Sequence, residues 1–218
     1  MTHLVMFDID GTLVDSWGFD NRDYADAIRS VLEVEVDDTW RSYRHVTDGG
    51  ILEELLASKS FDRPIDELGA EVKRRFMATV YARFAHDPAP VREIPGAKAL
   101  IELLATLPGV RVAIATGGWA ESARLKLAAI GIDADALPHA TSSDRIERSR
   151  IMQLAEERAL GGAPWTTRTY FGDGDWDKRA SAELGYRFVA VGPRVKHDPH
   201  FDDFRDPSAV LRCLGLEL

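Results

Sequence analysis

The hydrophobic positions of this chain fall into two rhythms. Short apolar runs without polar alternation recur at residues 4–7, 111–115, 169–171 and 188–191. Such runs, rich in β-branched residues, are what strands buried on both faces require, and they predict a parallel sheet covered by helices. Each run leads into a small or acidic turn. In order, these are Asp8-Ile9-Asp10-Gly11-Thr12, Thr116-Gly117-Gly118, Gly172-Asp173-Gly174-Asp175 and Gly192-Pro193. Between the runs, helical spacing of apolar residues predicts helices over 96–107, 120–130, 150–160 and 177–184. The alternation of strand and helix implies an α/β fold, a Rossmann-like doubly wound parallel sheet with helices on both faces.

The second rhythm fills the stretch from about residue 20 to residue 86. It holds no strand-like run, only helical periodicity with charged faces, over 24–32, 51–57 and 65–84. Asp87-Pro88-Ala89-Pro90 closes the stretch, and Ile94-Pro95-Gly96 restarts the α/β pattern. Residues 16–93 are therefore expected to form an all-helical cap inserted between the first and second core strands. Residues 1–15 and 94–218 form the core. A length of 218 residues suits one core domain carrying a smaller insert.

Composition narrows the function classes. A hydrophobic content of 45% and a charged content of 29% are those of an ordinary globular protein with a substantial core. The net charge of −9 argues against nucleic acid as a partner, since a phosphate backbone calls for a basic face. A small anionic substrate needs only a local basic pocket. Cys213 is the sole cysteine, which rules out an intrachain disulfide and a cysteine-cluster metal site. The apolar run ahead of Asp8 is too short for a signal peptide or a membrane span, so a soluble cytoplasmic protein without a membrane partner is expected.

In an open parallel sheet, ligands bind at the carboxyl ends of the strands. Here those ends carry Asp8 and Asp10, then Thr116, then Asp173 and Asp177. Alternating carboxylates joined by a distant Gly-Asp make a hard oxygen site suited to Mg²⁺, which would also relieve repulsion against an anionic substrate. Thr116 and the backbone N–H groups of Gly117 and Gly118 are placed to cradle phosphate oxygens at a helix N-terminus. Each turn by itself is ordinary Asp-Gly or N-cap chemistry. Their order, each after a buried strand, is what points to a phosphoryl site.

These motifs resemble those of the haloacid dehalogenase-like hydrolase superfamily, in the phosphatase branch that carries a helical cap, with phosphoglycolate phosphatases and beta-phosphoglucomutases. The first motif is matched by Asp8-Ile9-Asp10-Gly11-Thr12, continued by Leu13-Val14-Asp15-Ser16. The second is matched by Thr116, and the fourth by Gly172-Asp173-Gly174-Asp175-Trp176-Asp177. The third motif departs from the family, which usually carries a lysine before a helix. Residues 142–152 hold no lysine but offer Arg145, Arg148 and Arg150. Arg148 is the choice, three residues before Ile151, with the other two as rivals. Arginine binds phosphoryl oxygens through a planar fork rather than a point charge.

The resemblance implies a magnesium-dependent phosphatase acting through an aspartyl-phosphate. Asp8 would be the nucleophile and Asp10 the acid and base. Asp8, Asp10 (through its backbone carbonyl), Asp173 and Asp177 would hold the metal, with Asp177 acting through water or by pairing with the arginine. Thr116, Gly117 and Arg148 would bind phosphate. The acid at position 10 favours phosphoryl chemistry over dehalogenation. A small phosphorylated metabolite is the expected substrate; a phosphomutase of the beta-phosphoglucomutase type and an idle phosphate-binding protein are the alternatives. Oligomeric state is not legible.

Three further features stand beside the motifs. Thr47-Asp48-Gly49-Gly50 is either a loop reaching onto the leaving group or an interhelical turn capped by Asp48. Trp17 and Trp119 either line the pocket or serve packing. His197, Asp198 and His200 sit in a proline-containing loop whose spacing suits exposed residues better than a metal site.

Overall fold

The computed structural model describes residues 2–16, 18–87 and 91–216. Trp17 and residues 88–90 of the segment expected to close the insert lie outside the described residues.

The first strand, β1 (His3–Phe7), leads through the Asp-rich turn to β2 (Val14–Asp15). Three helices follow: α1 (Asp20–Leu32), α2 (Asp48–Ala57) and α3 (Ile65–His86). The chain returns through β3 (Arg92–Glu93), then α4 (Ala97–Thr106), β4 (Val110–Ala115), α5 (Ala120–Ala129) and β5 (His139–Ala140). It ends with α6 (Arg148–Leu160), β6 (Thr167–Gly172), α7 (Asp175–Leu184), β7 (Arg187–Val191), β8 (His200–Phe201) and α8 (Pro207–Leu214).

Six strands form one parallel sheet in the order β5-β4-β1-β6-β7-β8. After β1 the chain winds outward through β4 and β5, then crosses to β6 on the other side. The crevice at this switch in winding lies at the carboxyl ends of β1, β4 and β6, where a doubly wound sheet binds its ligands.

The apolar runs lack alternation because both faces of the sheet are covered. Leu4 and Met6 face one layer with Ile151 and Met152 of α6 and Ala180 of α7. Val5 and Phe7 face the other, against Leu100 and Leu104 of α4, Leu127 of α5 and Leu211 of α8. Each fully buried side chain of this size stabilises the fold by about 1.5–3 kcal/mol.

The three inserted helices bury a core of their own. The stripe Tyr24, Ile28 and Leu32 on α1 meets Leu68, Val72, Phe76 and Val80 on α3, and Ile51, Leu52 and Leu55 of α2 join them. One member comes from outside the insert. Trp119, just before α5, stacks edge-on against Tyr24 at 5.4 Å and tilts against Phe76 at 5.7 Å. Of its two expected roles, Trp119 takes packing. The insert leaves and rejoins the core through the antiparallel pair β2–β3, in register Val14↔Glu93 and Asp15↔Arg92.

Several helices begin earlier than apolar spacing alone predicts: α1 at Asp20, α6 at Arg148 and α7 at Asp175. Their first turns are polar, so periodicity starts late there. Asp20 and Asp23 on α1, and Asp175 and Asp177 on α7, are acidic groups that suit the positive end of a helix. Thr47, not Asp48, caps α2: its Oγ1 accepts from the Gly50 N–H at 3.0 Å. Strands β5 and β8 have two residues each, too short for any periodic signal. No helix among the described residues is long and apolar enough to cross a membrane.

Candidate active site

The three inner strands deliver the acids. Asp8 follows β1, and its N–H still donates to Phe171 O at 3.0 Å, so the sheet ladder fixes its backbone. The chain then turns back tightly, with the N–H groups of Leu13 and Val14 both donating to Ile9 O, at 2.8 and 3.0 Å. Gly11 carries the positive φ of 74° that this reversal needs. Asp173 follows β6. Asp177 sits in the first turn of α7, its Oδ2 accepting from Gly174 N–H at 3.0 Å.

Asp8, Asp173 and Asp177 are buried and each offers a carboxylate oxygen, the three lying within 4.8 Å of one another. Crowding of this kind is costly for three anions. Burial first, then Asp177 and Asp10, push the Asp8 carboxyl up to about 7, against the opposing pull of Arg148. Burial likewise raises Asp173, where Asp177 and Asp8 add to the effect, and it raises Asp177 against Arg148. Among the described residues, His197 and His200 belong to no such cluster. Their Nε2 atoms lie 3.1 Å from Phe188 O and 2.8 Å from Gly192 O.

One arginine enters the cluster. Arg148 opens α6, with Nη1 at 3.4 Å from Asp8 Oδ1 and 3.1 Å from Asp177 Oδ1. Its Nη2 donates to Val46 O of the insert at 3.1 Å. Although burial opposes charge, Asp177 and Asp8 hold the guanidinium firmly ionised. Arg145 and Arg150 are exposed. Arg145 donates to Asp144 O at 2.7 Å and Arg150 to Gln153 at 2.9 Å. Of the three arginines of this segment, Arg148 alone lies between the acids.

Asp10 points the other way. Its Oδ1 accepts from the Ser16 hydroxyl and pairs with Lys126 Nζ at 2.7 Å. Lys126 also pairs with Asp20 Oδ2 of the insert at 2.8 Å, and its side chain is 1% exposed. The paired acids hold this ammonium charged despite its burial, while burial carries Asp20 up to about 6 against the pull of Lys126. Sequence reasoning missed Lys126 and Asp20. The signal was present, since Lys126 shares one face of α5 with buried Ser122, Ala123 and Leu127.

Thr116 and Gly117 occupy the turn after β4, opposite the acids. An added β-carbon at Gly117 would collide with Arg148 Nη2, so only glycine lets the guanidinium pass. At Gly118 an added β-carbon would lie 3.8 Å from Asp10 Oδ2, 3.8 Å from Thr116 Oγ1 and 3.9 Å from Asp48 Oδ2. These three oxygens therefore converge on one space.

The insert closes over that space. Asp48 N–H donates to Gly117 O at 2.8 Å, and Asp48 Oδ2 accepts from Trp119 N–H at 2.8 Å. Thr47 Oγ1 donates to Ile146 O at 2.6 Å, and Gly49 N–H donates to Ser142 Oγ at 2.7 Å. Burial pushes the Asp48 carboxyl up to about 8, with Asp20 adding to the rise. What remains is a cavity of about 60 Å³ touched by Asp8, Asp10, Thr116, Gly117, Asp48 and Arg148. Asp173 reaches the neighbouring cavity, beside Arg194 at 3.2 Å. Thus Asp8, Asp10, Thr116, Gly117 and Arg148 share one cavity, and Asp173 and Asp177 join it through Asp8.

A family model described as haloacid dehalogenase-like hydrolase matches residues 5–181. Among solved structures, a hydrolase from Pseudomonas syringae is similar at 21% identity with a TM-score of 0.74, over 97% of this chain and 98% of that one. CbbY from Rhodobacter sphaeroides, solved with phosphate, is similar at 20% identity with a TM-score of 0.68, over 94% and 96%. A Bacteroides vulgatus protein provisionally assigned as a beta-phosphoglucomutase is similar at 17% identity with a TM-score of 0.67, over 98% and 89%. At these identities the likeness is one of fold. A comparison with curated proteins finds no significant match.

Proposed function

We propose that this chain, which belongs to the haloacid dehalogenase-like hydrolase family, hydrolyses phosphoric monoesters of a small metabolite through an aspartyl-phosphate on Asp8. The observation that carries the proposal is the pairing of two carboxylates with different surroundings at one cavity. Asp8 lies among acids and Arg148, whereas Asp10 is held by Lys126 and Ser16. Two carboxyls in unlike environments are what a nucleophile and an acid–base group need.

In the first step an Asp8 oxygen attacks phosphorus, the ester P–O bond breaks, and a proton moves from Asp10 to the departing alkoxide. In the second, water attacks phosphorus and gives its proton to Asp10. The bond to Asp8 then breaks, and inorganic phosphate leaves. Arg148, Thr116 and the Gly117 N–H steady the phosphoryl oxygens.

The acid cluster fits a divalent cation. Asp8, Asp173 and Asp177 supply only oxygen donors, and among the described residues no hydrogen bond reaches the buried Asp8 Oδ1, which faces Arg148 Nη1 at 3.4 Å. Burial raises all three carboxyls, and a cation held among them would keep them ionised. Asp8, the Asp10 carbonyl and Asp173 would hold Mg²⁺, with Asp177 behind them on Arg148; bound there, the ion supplies positive charge to the transferring phosphoryl group.

The inserted helices act as a cap over the phosphoryl site. A cavity of about 60 Å³ has room for a few waters at the roughly 10–15 Å³ each requires. Seating a whole sugar phosphate in that space would call for the insert to shift outward. The similar CbbY has also been solved with xylulose-(1,5)bisphosphate, which supports sugar phosphates as the class to try first.

The test is hydrolysis of p-nitrophenyl phosphate and a sugar-phosphate panel, with and without Mg²⁺. Wild-type protein is expected to release inorganic phosphate only with the metal. Asp8→Asn should lose on the order of 10⁴-fold or more. Equal inertness of both proteins across the panel would falsify the enzyme reading, and transfer of phosphate to a second hydroxyl without release would favour a mutase.

A further inference from the structure

Lys126 stands outside the motifs, yet it is the best-buried cation at the site. Its ammonium touches two carboxylates from two different parts of the molecule: Asp10 on the core turn at 2.7 Å and Asp20 on α1 of the insert at 2.8 Å. Ser16 donates to the same Asp10 oxygen, Oδ1. An oxygen accepting from both an ammonium and a hydroxyl has its lone pairs committed. The proton that Asp10 delivers must then ride on Oδ2, the oxygen that faces Thr116 and Asp48 across the space beside Gly118.

We propose that Lys126 is a positioning residue that aims Oδ2 of Asp10 at the leaving-group oxygen and ties that aim to the seating of helix α1. The inference rests on the phosphatase reading above and adds to it a link between the insert and the acid. A buried ammonium shared by two acids is expensive to assemble and expensive to break. A bridge meant only to fasten the insert would serve equally well at the exposed rim. This one ends on the group that handles the proton. Without Lys126, Asp10 keeps only Ser16 as a partner on Oδ1 and is free to rotate, while Asp20 is left buried beside it. With Lys126 but without Asp20, the ammonium is no longer held toward α1, and the aim loosens less.

The experiment compares two esters of different leaving ability. Glycerol phosphate needs a proton on its departing alkoxide; 2,4-dinitrophenyl phosphate releases its phenolate unaided as a stable anion. The readout is kcat/KM, which reports steps through formation of the aspartyl-phosphate and so isolates the acid role from the later base role. Lys126→Met is expected to lose roughly 30–100-fold on the alkyl ester, within the range ascribed to a positioned acid, and no more than about 3-fold on the dinitrophenyl ester. Lys126→Arg should recover part of the loss. Asp20→Asn should show the same selectivity at roughly 3–10-fold.

Equal losses on the two esters in a folded Lys126→Met protein would overturn the proposal, as would no loss at all. If Lys126→Met does not fold, Asp20→Asn carries the same test: selective loss supports the proposal, and a uniform loss or none sinks it. A wild type inert toward both esters would overturn the phosphatase reading, and this inference with it.

Discussion

Two cations divide the cleft between them, and they differ in kind. On the side of the sheet, Arg148 bridges Asp8 and Asp177 and reaches Val46 with its remaining arm. On the side of the insert, Lys126 bridges Asp10 and Asp20. Each holds one carboxylate of the working pair, and each touches the insert. Arginine's planar fork can face two acids and a carbonyl at once, which suits a site where oxygens arrive from several directions. Lysine presents a point charge on a flexible stem, which suits fastening two oxygens and leaving the rest of each carboxylate free. The contrast separates the two duties of the site: holding a phosphoryl group and directing a proton.

The largest expected effect that tests this contrast is at Arg148. Arg148→Ala should cut kcat/KM by roughly 100–1000-fold, as removal of a charge-stabilising donor does elsewhere. Because the arginine serves the transferring group, the loss should be the same for an alkyl and a dinitrophenyl ester, unlike the selective loss at Lys126. A leaving-group-dependent loss at Arg148 would erase the distinction between the two cations. Arg148→Lys should retain part of the activity, since charge survives but the fork does not.

The acids behind Arg148 offer an intermediate test that needs no turnover. Saturating Mg²⁺ should raise Tm by about 5–10 °C, from roughly 2–3 kcal/mol of binding at 100 Kd and the usual sensitivity of chains of this length. Asp173→Asn should remove most of that shift, whereas Asp20→Asn beside Lys126 should leave it nearly intact. A shift unaffected by Asp173→Asn would move the metal elsewhere.

The smallest effect is expected at the neighbouring arginines. Arg145→Ala and Arg150→Ala should each change kcat/KM by less than about 2-fold, since exposed charges contribute little. Their side chains lie on the surface, paired with Asp144 O and Gln153. A large loss at either would transfer the phosphate-binding role away from Arg148.

Much of this architecture is local in origin. The four central strands are legible because a strand covered on both faces must be apolar at every position, as residues 4–7 are. The three inserted helices are legible from stripes such as Leu68, Val72, Phe76 and Val80, spaced one turn apart. Asp8, Asp10, Thr116 and Asp173 could be named because strand ends in a doubly wound sheet converge. Two-residue strands carry no such signal, so β5 and β8 escaped notice.

The third motif shows how far local reading reaches. Arg145, Arg148 and Arg150 lie within six residues at the mouth of one helix, and composition does not rank them. Rotation does: at about 100° per residue, Arg148 and Arg150 point to different sides of α6, and only one side meets the sheet. Asp48 is a second case. Its place beside two glycines left open a helix cap or a loop reaching onto the leaving group; Thr47 takes the cap, and Asp48 lines the cavity and accepts from Trp119 N–H.

The sequence by itself determined the sheet, the helical insert and the acids at the strand ends. Each of these follows from burial on one or two faces and from turn chemistry within a few residues. Only the tertiary structure decided which cation serves which acid. Lys126 shares a face of α5 with Ala123 and Leu127, which marks it locally as buried without naming its partners. It becomes the partner of Asp10 and Asp20 only when α5, the first turn and α1 come together, joining residues more than 100 positions apart in the chain. Charge partners of that kind are fixed by packing, and no local pattern says which acids the lysine meets.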